Sequence, residues 1–315
     1  MGAGCMIRIF EVGPRDGLQN ERKTLPLEQK LNLIEGLLKA GMKDVEVGAF
    51  VRPDRIPQMA DTDELYRSER FRALQKQFSD AHFWALVPNE KGLDRAIDSG
   101  TRSVAVFTGA TETFVQKNIG MSIDESLETF RKVVNRALHE GIAVRGYISV
   151  CWVCPYEGVV KPQAVVRVAK ALLDLGIPDI SLGDTIGKAH PSGTDALLSA
   201  VFKLAKPEHF GVHFHDTYGM ALANIDHAIK MGIEVVDSSV GGLGGCPYAP
   251  GAAGNVATED VYSLLEGYSD LAIQKLEAST LLENSAMAQE YVGHILPSKR
   301  LTAWLSHQNK KTQRN

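Results

Sequence analysis

Apolar residues recur along the chain with two alternating spacings. In some stretches they lie three or four positions apart, as one face of a helix requires, and the first such stretch contains Leu27, Leu31, Ile34 and Leu38. Each stretch ends near a glycine that is followed by a short β-branched run, at Gly41, Gly100, Gly141, Gly176 and Gly232. Because glycine often ends a helix in the left-handed conformation and β-branched residues favour strands, the pattern predicts a repeated unit of helix and strand.

The β-branched runs predict eight strands separated by helices. We expect them at about residues 7–12, 44–48, 83–87, 103–108, 144–150, 179–182, 211–215 and 235–240. Eight such units are typical of the α/β class and of the TIM (β/α)8 barrel. A doubly wound open sheet is the alternative, but its first strand usually leads into a glycine-rich phosphate loop, and the VGPRDG sequence at 12–17 is not such a loop.

The pattern predicts one large domain with short ends. Residues 6–298 are expected to form the barrel with a short helical carboxyl-terminal extension, because the sequence after about Glu259 has helical spacing without further strands. Residues 1–5 are expected to be an N-terminal extension, and the polar, basic residues 299–315 a solvated tail.

Composition narrows the classes of function. With 44% hydrophobic and 23% charged residues, the chain of 315 residues is globular, and its net charge of -4 gives no basic field for nucleic acid. The apolar runs are shorter than the roughly 18 residues that a membrane span needs. Without a signal or transit pattern at the start, and with only four cysteines, the sequence favours the reducing cytoplasm.

Two histidines one residue apart predict a metal site. In a strand, His213 and His215 point to the same side, where one ion can bind both. Oxygen ligands must then come from other strand ends, and Asp16 follows the first strand while Asn255 follows the last. These ends adjoin in a closed barrel. Mixed nitrogen and oxygen ligation suits Mg²⁺ or Mn²⁺ better than a thiolate zinc site.

Cysteines and acidic residues near strand ends are further candidates. Cys246 lies in the glycine-rich sequence GGLGGCPYAPG at 241–251, which could bring a thiol to a closed site as acid or nucleophile, or could be a plain flexible connection. Glu46 and Asp184 stand at the ends of strands, where barrel enzymes carry catalytic residues. The CWVC sequence at 151–154 has the form of a redox pair but not the strand-to-helix setting of one.

Several longer motifs resemble one family. They are EVGPRDGLQNE at 11–21, PQM at 57–59, RGY at 145–147, CPYEG at 154–158, SLGDTIG at 181–187, HFHDTYG at 213–219, ALAN at 221–224 and DSSVGGLGGCPYA at 237–249. Together they resemble the 3-hydroxy-3-methylglutaryl-CoA lyase family, within the superfamily of metal-dependent lyases and Claisen-condensing barrels. The resemblance runs from about residue 11 to about residue 267.

The resemblance implies an activity and a role for each matching residue. The implied reaction is cleavage of 3-hydroxy-3-methylglutaryl-CoA to acetyl-CoA and acetoacetate, with Mg²⁺ or Mn²⁺, in leucine degradation or ketone body formation by a homodimer. The implied metal ligands are Asp16, His213, His215 and Asn255. Catalytic roles are implied for Cys246, Arg15, Asp16, His213, Glu46 and Asp184, with Glu259 in support. The implied substrate contacts are Arg15, Gln19, Tyr147 and Ser181.

Some points are left open by the sequence. The general base is either Asp16 or a histidine near the metal. Ala49 stands where the family usually has serine, and residues 52–55 depart from the usual loop, so a longer-branched 3-hydroxyglutaryl-CoA is an alternative substrate. A Claisen-condensing acyltransferase would share the Arg-Asp and His-x-His pieces but would not need the loop around Cys246. A non-catalytic barrel would be expected to have lost a ligand.

Overall fold

The computed structural model describes residues 6–246 and 249–312. Within them, the side chains of residues 246, 249–252, 309, 311 and 312 are not described. The predicted extension at 1–5, the end of the predicted tail at 313–315 and the side chain of Cys246 therefore lie outside the described residues.

Eight parallel strands close into a barrel, which confirms the predicted TIM (β/α)8 fold. Each strand pairs with the next along the chain, and β8 pairs with β1 to close the ring. The strands are β1 (Met6–Glu11), β2 (Asp44–Ala49), β3 (His82–Leu86), β4 (Ser103–Gly109), β5 (Ala143–Ser149), β6 (Asp179–Asp184), β7 (Phe210–Phe214) and β8 (Val235–Ser238). All eight overlap the predicted ranges.

Helices surround the barrel and pack their apolar faces against it. They are α1 (Leu27–Lys39), α2 (Thr62–Arg67), α3 (Glu69–Gln77), α4 (Glu90–Asp98), α5 (Glu112–Ile119), α6 (Ile123–His139), α7 (Pro162–Asp174), α8 (Pro191–Val201), α9 (Ala221–Lys230), α10 (Thr258–Leu265), α11 (Ala278–Val292) and α12 (Lys299–Thr312). Among the described residues, no helix combines the length and the apolar character that crossing a membrane requires.

The glycines that mark the repeat have the backbone conformation that was expected of them. All five have positive φ, from 69° at Gly141 to 110° at Gly232. A side chain is strained in this region, so glycine is the residue that lets each helix turn back into the next strand. These glycines therefore make the repeated helix-to-strand junction recognisable in the sequence.

A buried carboxylate joins the first and last strands at the carboxyl-terminal end of the barrel. Glu11, which is fully buried, accepts hydrogen bonds from the amide nitrogens of Gly13 (2.7 Å) and Val240 (2.9 Å). Its second oxygen accepts a bond from the Thr258 hydroxyl at 2.6 Å. One side chain thus connects the turn after β1, the segment after β8 and the start of α10.

The inside of the barrel is more polar than the layer between barrel and helices. The outer layer is a continuous apolar core, whereas the inside holds a small apolar cluster of Phe10, Val12, Trp84 and Val235. Beside this cluster, Arg145 and Asp237 are almost wholly buried and bonded to each other at 2.7 Å. Side chains alternate between the two sides of a strand, so the parity of a residue decides which environment it meets.

The carboxyl-terminal region differs from the sequence expectation in two places. A two-residue strand, Ala272–Ile273, pairs with β1, although no strand was expected after Glu259. The expected solvated tail begins instead with α12, whose Leu301 is 1% exposed. The carboxylate of Asp260 accepts bonds from the amides of Lys299 and Arg300 and so anchors the start of this helix. The many lysine and polar residues of this segment made the single apolar face of α12 hard to recognise from the sequence.

We expect Glu11 to make stability depend on pH. Burial raises the pKa of Glu11 to about 7 from its ordinary 4.5, in spite of its hydrogen bonds. Between these values the folded protein holds a proton that the unfolded chain has lost, so stability falls as the pH rises through this window. Replacing Glu11 by Gln, which mimics the protonated acid, should reduce the change in unfolding free energy between about pH 5.5 and 8 by about 2 kcal/mol.

Urea unfolding at several pH values measures this effect. The control is Glu64→Gln, at an exposed position of α2, which should keep the wild-type dependence on pH. An unchanged slope in Glu11→Gln would show that Glu11 is already ionised in the folded protein.

Candidate active site

Three potential metal ligands converge at the carboxyl-terminal end of the barrel, from β1 and β7, which lie on either side of β8. Asp16, His213 and His215 each present one ligand atom, and these atoms all lie within 4.8 Å of one another. Asp16 comes from the turn after β1, His213 from β7 and His215 from just beyond it. The closure of the barrel thus brings together residues that are about two hundred positions apart in sequence.

Asp16 is held by its backbone and by both carboxylate oxygens. It lies in a single wide helical turn, Gly13–Gly17, in which the Val12 carbonyl accepts its amide hydrogen at 2.7 Å. Arg15 donates to one carboxylate oxygen at 2.7 Å, and Asn255 donates to the other at 2.9 Å. Burial would raise the pKa of Asp16, but Arg15 and the two imidazoles outweigh it and lower the pKa to about 2. The group stays ionised, and it is a weak base.

The two imidazoles have different surroundings. His213 Nδ1 lies 3.3 Å from an Asp237 oxygen, while its Nε2 lies 4.0 Å from Asp16 Oδ2. The Nδ1 atom of the buried His215 has no hydrogen-bond partner among the described residues. Burial and the neighbouring His213 lower the pKa of His215 to about 4. A buried, neutral imidazole with an unpartnered nitrogen is poised to bind a ligand.

Asn255 reaches this site through a short antiparallel bridge. The segment around it runs beside the end of β7, where Asp216 donates to the Gly254 carbonyl at 2.7 Å and Asn255 stands opposite His215. Asn255 is 3% exposed. Its amide nitrogen now faces Asp16, and a half-turn of the amide group would present the oxygen in the same place. Asn255 therefore bonds Asp16 and lies beside His215, and its role as a metal ligand stays a prediction.

These donors fit a divalent cation. Two ligand atoms bound at about 2.1 Å are about 3 Å apart at neighbouring positions of an octahedron and about 4.2 Å apart at opposite ones. The 4.0 Å between His213 Nε2 and Asp16 Oδ2 lies within this range, although the largest separation, 4.8 Å, requires a small inward movement. Among the described side chains the donors are nitrogen and oxygen without a thiolate, which does not favour a structural zinc site.

A fixed guanidinium adjoins the metal ligands. Arg15 is 6% exposed and contacts one Glu46 oxygen through Nε at 2.7 Å and Nη2 at 2.6 Å. A further nitrogen bonds Asp16, which leaves two of the five N–H groups of Arg15 for a bound anion. The Tyr147 hydroxyl donates to the same Glu46 oxygen at 3.3 Å. Burial raises the pKa of Glu46, and Arg15 opposes that effect.

A cleft of ≈ 360 Å³ opens onto these groups. Its polar lining includes the predicted residues Arg15, Asp16, Gln19, Tyr147, His213 and His215. Its apolar lining is formed by Val51, Ile56, Leu86, Phe107, Phe114 and Ile148. Two of these, Val51 and Ile56, flank the loop that departs from the family pattern, while Ala49 is fully buried beneath it. The cleft suits a small ligand with one polar and one apolar side.

Five predicted residues are not among the described residues that line the cleft: Glu46, Ser181, Asp184, Asn255 and Glu259. Glu46 and Asn255 contact Arg15 and Asp16, which do line it. Ser181 donates to Asp237 at 2.6 Å, and Asp184 accepts bonds from the amides of Lys188 and Ala189. Glu259 accepts a bond from the Gly241 amide at 3.0 Å, below the glycine-rich loop. Burial raises the pKa of Asp184 to about 6 and that of Glu259 to about 7.

The residues of the CWVC sequence contact their own surroundings. Cys151 donates its thiol hydrogen to the Ile148 carbonyl at 3.0 Å, and burial raises its pKa far above the usual range. The Cys154 sulfur accepts a bond from the Thr111 hydroxyl at 3.2 Å. Both thiols are free and buried, which does not favour redox exchange.

Two residues beside the site were not assigned a role from the sequence. Asp237 accepts from His213, and Arg145 bonds Asp237 on the far side of the carboxylate. Their motifs, RGY and DSSV, were noted without a function. In β5 and β8 these charged residues alternate with apolar ones along the strand. That alternation could have indicated that the charged side chains face the inside of the barrel.

Comparison with known proteins decides the family. The protein-family model described as HMGL-like matches residues 6–287, which is most of the chain. The chain belongs to the HMGL-like family.

Relatives of this HMGL-like chain agree with that membership. It is 48% identical over 261 residues to the mouse (Mus musculus) protein "3-hydroxy-3-methylglutaryl-CoA lyase, cytoplasmic", covering 83% of this chain and 74% of that one. The structure of hydroxymethylglutaryl-CoA lyase from Pseudomonas aeruginosa matches with a TM-score of 0.90 and 42% identity, over 98% of this chain and 100% of that one. An HMG-CoA lyase from Acinetobacter baumannii, in complex with coenzyme A and 3-methylmalate, matches with a TM-score of 0.86 and 31% identity, over 96% of each chain.

We expect ion binding to this HMGL-like site to displace one proton. Burial lowers the pKa of His213, but the contacts with Asp237 and Asp16 outweigh it and raise the pKa above 6.5. Since a ligand must be neutral, the affinity of the metal-stripped protein for Mn²⁺ should fall about tenfold per pH unit below that pKa. His215 and Asp16 add no slope there, because their pKa values are about 4 and about 2.

The signal of free Mn²⁺ in electron paramagnetic resonance measures this affinity. The control is His294→Asn, because Glu21 raises the pKa of the distant His294 as well. That variant should keep the wild-type slope. A slope of two protons per ion would show that His215 also titrates near neutral pH.

Proposed function

We propose that this chain is a carbon–carbon lyase that cleaves 3-hydroxy-3-methylglutaryl-CoA to acetyl-CoA and acetoacetate. The observation that carries the proposal is the shared cleft of Asp16, His213 and His215 with Arg15. One small ligand in this cleft could contact both a bound cation and a fixed positive charge. Relatives that are 48% and 31% identical to this chain are called HMG-CoA lyases, and the second was solved with coenzyme A, which supports an acyl-CoA substrate.

The reaction needs a proton removed and a negative charge stabilised. The hydroxyl on the third acyl carbon loses its proton to a base beside the metal site, either Asp16 or a histidine, as the bond between the second and third carbons breaks. The third carbon becomes the ketone of acetoacetate, and the electron pair remains on acetyl-CoA as an enolate. A proton then adds to the second carbon. The two products together contain all the atoms of the substrate, and no oxidant or reductant is required.

The ion is proposed to be Mg²⁺ or Mn²⁺, held by Asp16, His213, His215 and Asn255. When bound there, such an ion would lower the pKa of a substrate hydroxyl, as it does that of water. The low pKa of Asp16 keeps the carboxylate ionised as a ligand, and burial keeps His215 neutral. The protein thus supplies the ligand forms that a divalent ion requires.

Arg15 is proposed to stabilise the enolate of the departing thioester. Its guanidinium is locked by Glu46 and Asp16, so its position is fixed before the substrate arrives. Preorganised charge in a buried cleft lowers the barrier more than a mobile side chain in water does. Gln19 and Tyr147, which also line the cleft, are proposed substrate contacts. Glu46 acts by holding Arg15.

Cys246 is proposed as the proton donor to the second carbon. Its backbone lies in the short strand Gly245–Cys246, which pairs antiparallel with Ala249–Ala253. This hairpin leads directly to Asn255, so the loop and the metal site are adjacent along the chain. The cysteine side chain itself lies outside the described residues. Ser181, Asp184 and Glu259 are proposed to support the site from positions behind the cleft wall.

Three further features stay proposals. We infer a homodimer and a cytoplasmic location; the mouse relative is called cytoplasmic, whereas a bovine relative is called mitochondrial. Leucine degradation or ketone body formation would be the setting of the proposed reaction. Residues 6–298 are proposed as the catalytic domain between its two ends.

A coupled assay on metal-stripped protein tests the activity. We expect acetyl-CoA release from 3-hydroxy-3-methylglutaryl-CoA only after Mg²⁺ or Mn²⁺ is restored. Cys246→Ala should reduce kcat by about 10³-fold, because a positioned acid contributes on this scale. The matched control is Cys151→Ala, which removes a buried thiol that is bonded to the Ile148 carbonyl and should keep wild-type activity.

The outcomes of this assay separate the alternatives. Full activity in the presence of a strong chelator would refute the role of the ion. Turnover restricted to acyl chains with a longer branch would correct the substrate, and the apolar wall of the cleft would then be its binding surface. Condensation of a 2-oxo acid with acetyl-CoA would indicate the related acyltransferase activity.

A lysine at position 15 tests the fixed guanidinium. Arg15→Lys keeps the charge but loses the planar fork that contacts Glu46 through two nitrogens and Asp16 through a third, so kcat should fall about 10²- to 10³-fold with a smaller change in KM. Steady-state kinetics measure both constants. Arg72→Lys, at an exposed position of α3, is the control. An unchanged kcat with a raised KM would mean that Arg15 only binds the ground state.

A further inference from the structure

A buried carboxylate lies directly behind one of the metal ligands. Asp237 stands opposite His213 in the paired strands β8 and β7, so their side chains share the inner face of the barrel. One Asp237 oxygen lies 3.3 Å from His213 Nδ1 and accepts a bond from Ser181 at 2.6 Å. Asp237 is 1% exposed, and it is not one of the residues that line the cleft among those described.

The other oxygen of Asp237 is bound by a buried arginine. Arg145 is fully buried and donates to Asp237 at 2.7 Å, while its Nε lies 3.1 Å from Asp179. Its guanidinium stacks 3.8 Å from the centre of the Phe10 ring. A β-carbon at Gly211 would come within 3.1 Å of its Nη2 atom, so the glycine leaves room for it. Arg145 is therefore held on several sides, and so is the carboxylate it binds.

This arrangement determines which nitrogen of His213 is free. Because Asp237 only accepts hydrogen bonds when ionised, His213 must carry its hydrogen on Nδ1. The lone pair is then on Nε2, the atom that faces Asp16 at 4.0 Å. A ring with its hydrogen on Nε2 would instead present a donor to the ion and could not bind it.

We propose that Asp237, fixed by Arg145 and Ser181, is a positioning residue that orients His213 for the metal ion. This inference rests on the proposed function, because it concerns the same ion. It assigns a task to Asp237, Arg145 and Ser181, three buried residues that are not among the described residues lining the cleft. It also extends the influence of the site to Tyr147, whose hydroxyl accepts a bond from Arg145 at 3.2 Å.

Direct measurement of Mn²⁺ binding without substrate tests the proposal. In Asp237→Asn, the amide oxygen is expected to face Arg145, so that the amide nitrogen donates to His213 Nδ1 and moves the ring hydrogen to Nε2. The dissociation constant for Mn²⁺ should rise about ten- to a hundredfold, the usual loss when a partner of a ligand histidine is removed. At saturating Mn²⁺ the loss of kcat should be smaller than the loss of affinity.

Asp179→Asn is the matched control. Asp179 forms an ion pair with the same Arg145 but, among the described contacts, does not bond His213. This variant should keep the Mn²⁺ affinity of the wild type, even if it lowers the melting temperature. Equal losses in the two variants, or wild-type affinity in a folded Asp237→Asn, would overturn the proposal. Absence of Mn²⁺ binding by the wild type would instead refute the proposed metal function.

A milder variant decides the matter if Asp237→Asn does not fold. Ser181→Ala removes only the hydroxyl that bonds Asp237 and leaves every charge in place. Its dissociation constant for Mn²⁺ should rise about three- to tenfold, because the carboxylate loses one of its anchors. Circular dichroism and thermal unfolding establish that the variant is folded. Wild-type affinity in the folded Ser181→Ala variant would contradict the positioning role.

Discussion

The contact between the first and the last strand is the constraint on which the site depends. β1 pairs with β8, and the buried Glu11 bonds the amides of Gly13 and Val240 just beyond the ladder. Without this closure, Asp16 would have no fixed relation to His213, which is 197 positions away in the sequence numbering. A buried carboxylate at this seam is costly, as its raised pKa shows, but it satisfies backbone amides of two segments just beyond the last backbone bond between them, from Val12 to the Ser238 carbonyl.

The repeat and the metal site could be predicted because each has a local pattern with a physical cause. Glycine at Gly41 and Gly232 is required by positive φ, so the junctions are visible without any knowledge of distant contacts. His213 and His215 share a side because strands alternate, and a barrel then brings the end of β1 beside them. In these cases a short stretch of sequence and one rule of geometry are enough.

The parts that the sequence did not predict depend on pairing across the barrel. Arg145 and Asp237 lie in different strands, and only the register shows that a third strand brings Ser181 to the same carboxylate. Parity also explains Asp184. It follows the inward-facing Ser181 by three positions, so it points to the outer side and bonds the amides of the loop after β6. A strand-end position alone could not distinguish these two directions.

Charge balance links the polar interior to the ion. Four carboxylates, those of Asp16, Glu46, Asp179 and Asp237, contact only two guanidiniums, those of Arg15 and Arg145. Buried charges are tolerated when they are paired, so the unpaired excess favours a positive partner in the same region. Its place is where Asp16 approaches the two imidazoles, since His215 is neutral and His213 would release its proton on binding the ion, so that neither adds charge to the occupied site. The barrel interior thus has both the ligands and the negative charge that a divalent cation requires. The positions of the two guanidiniums determine which carboxylate charge they leave unneutralised.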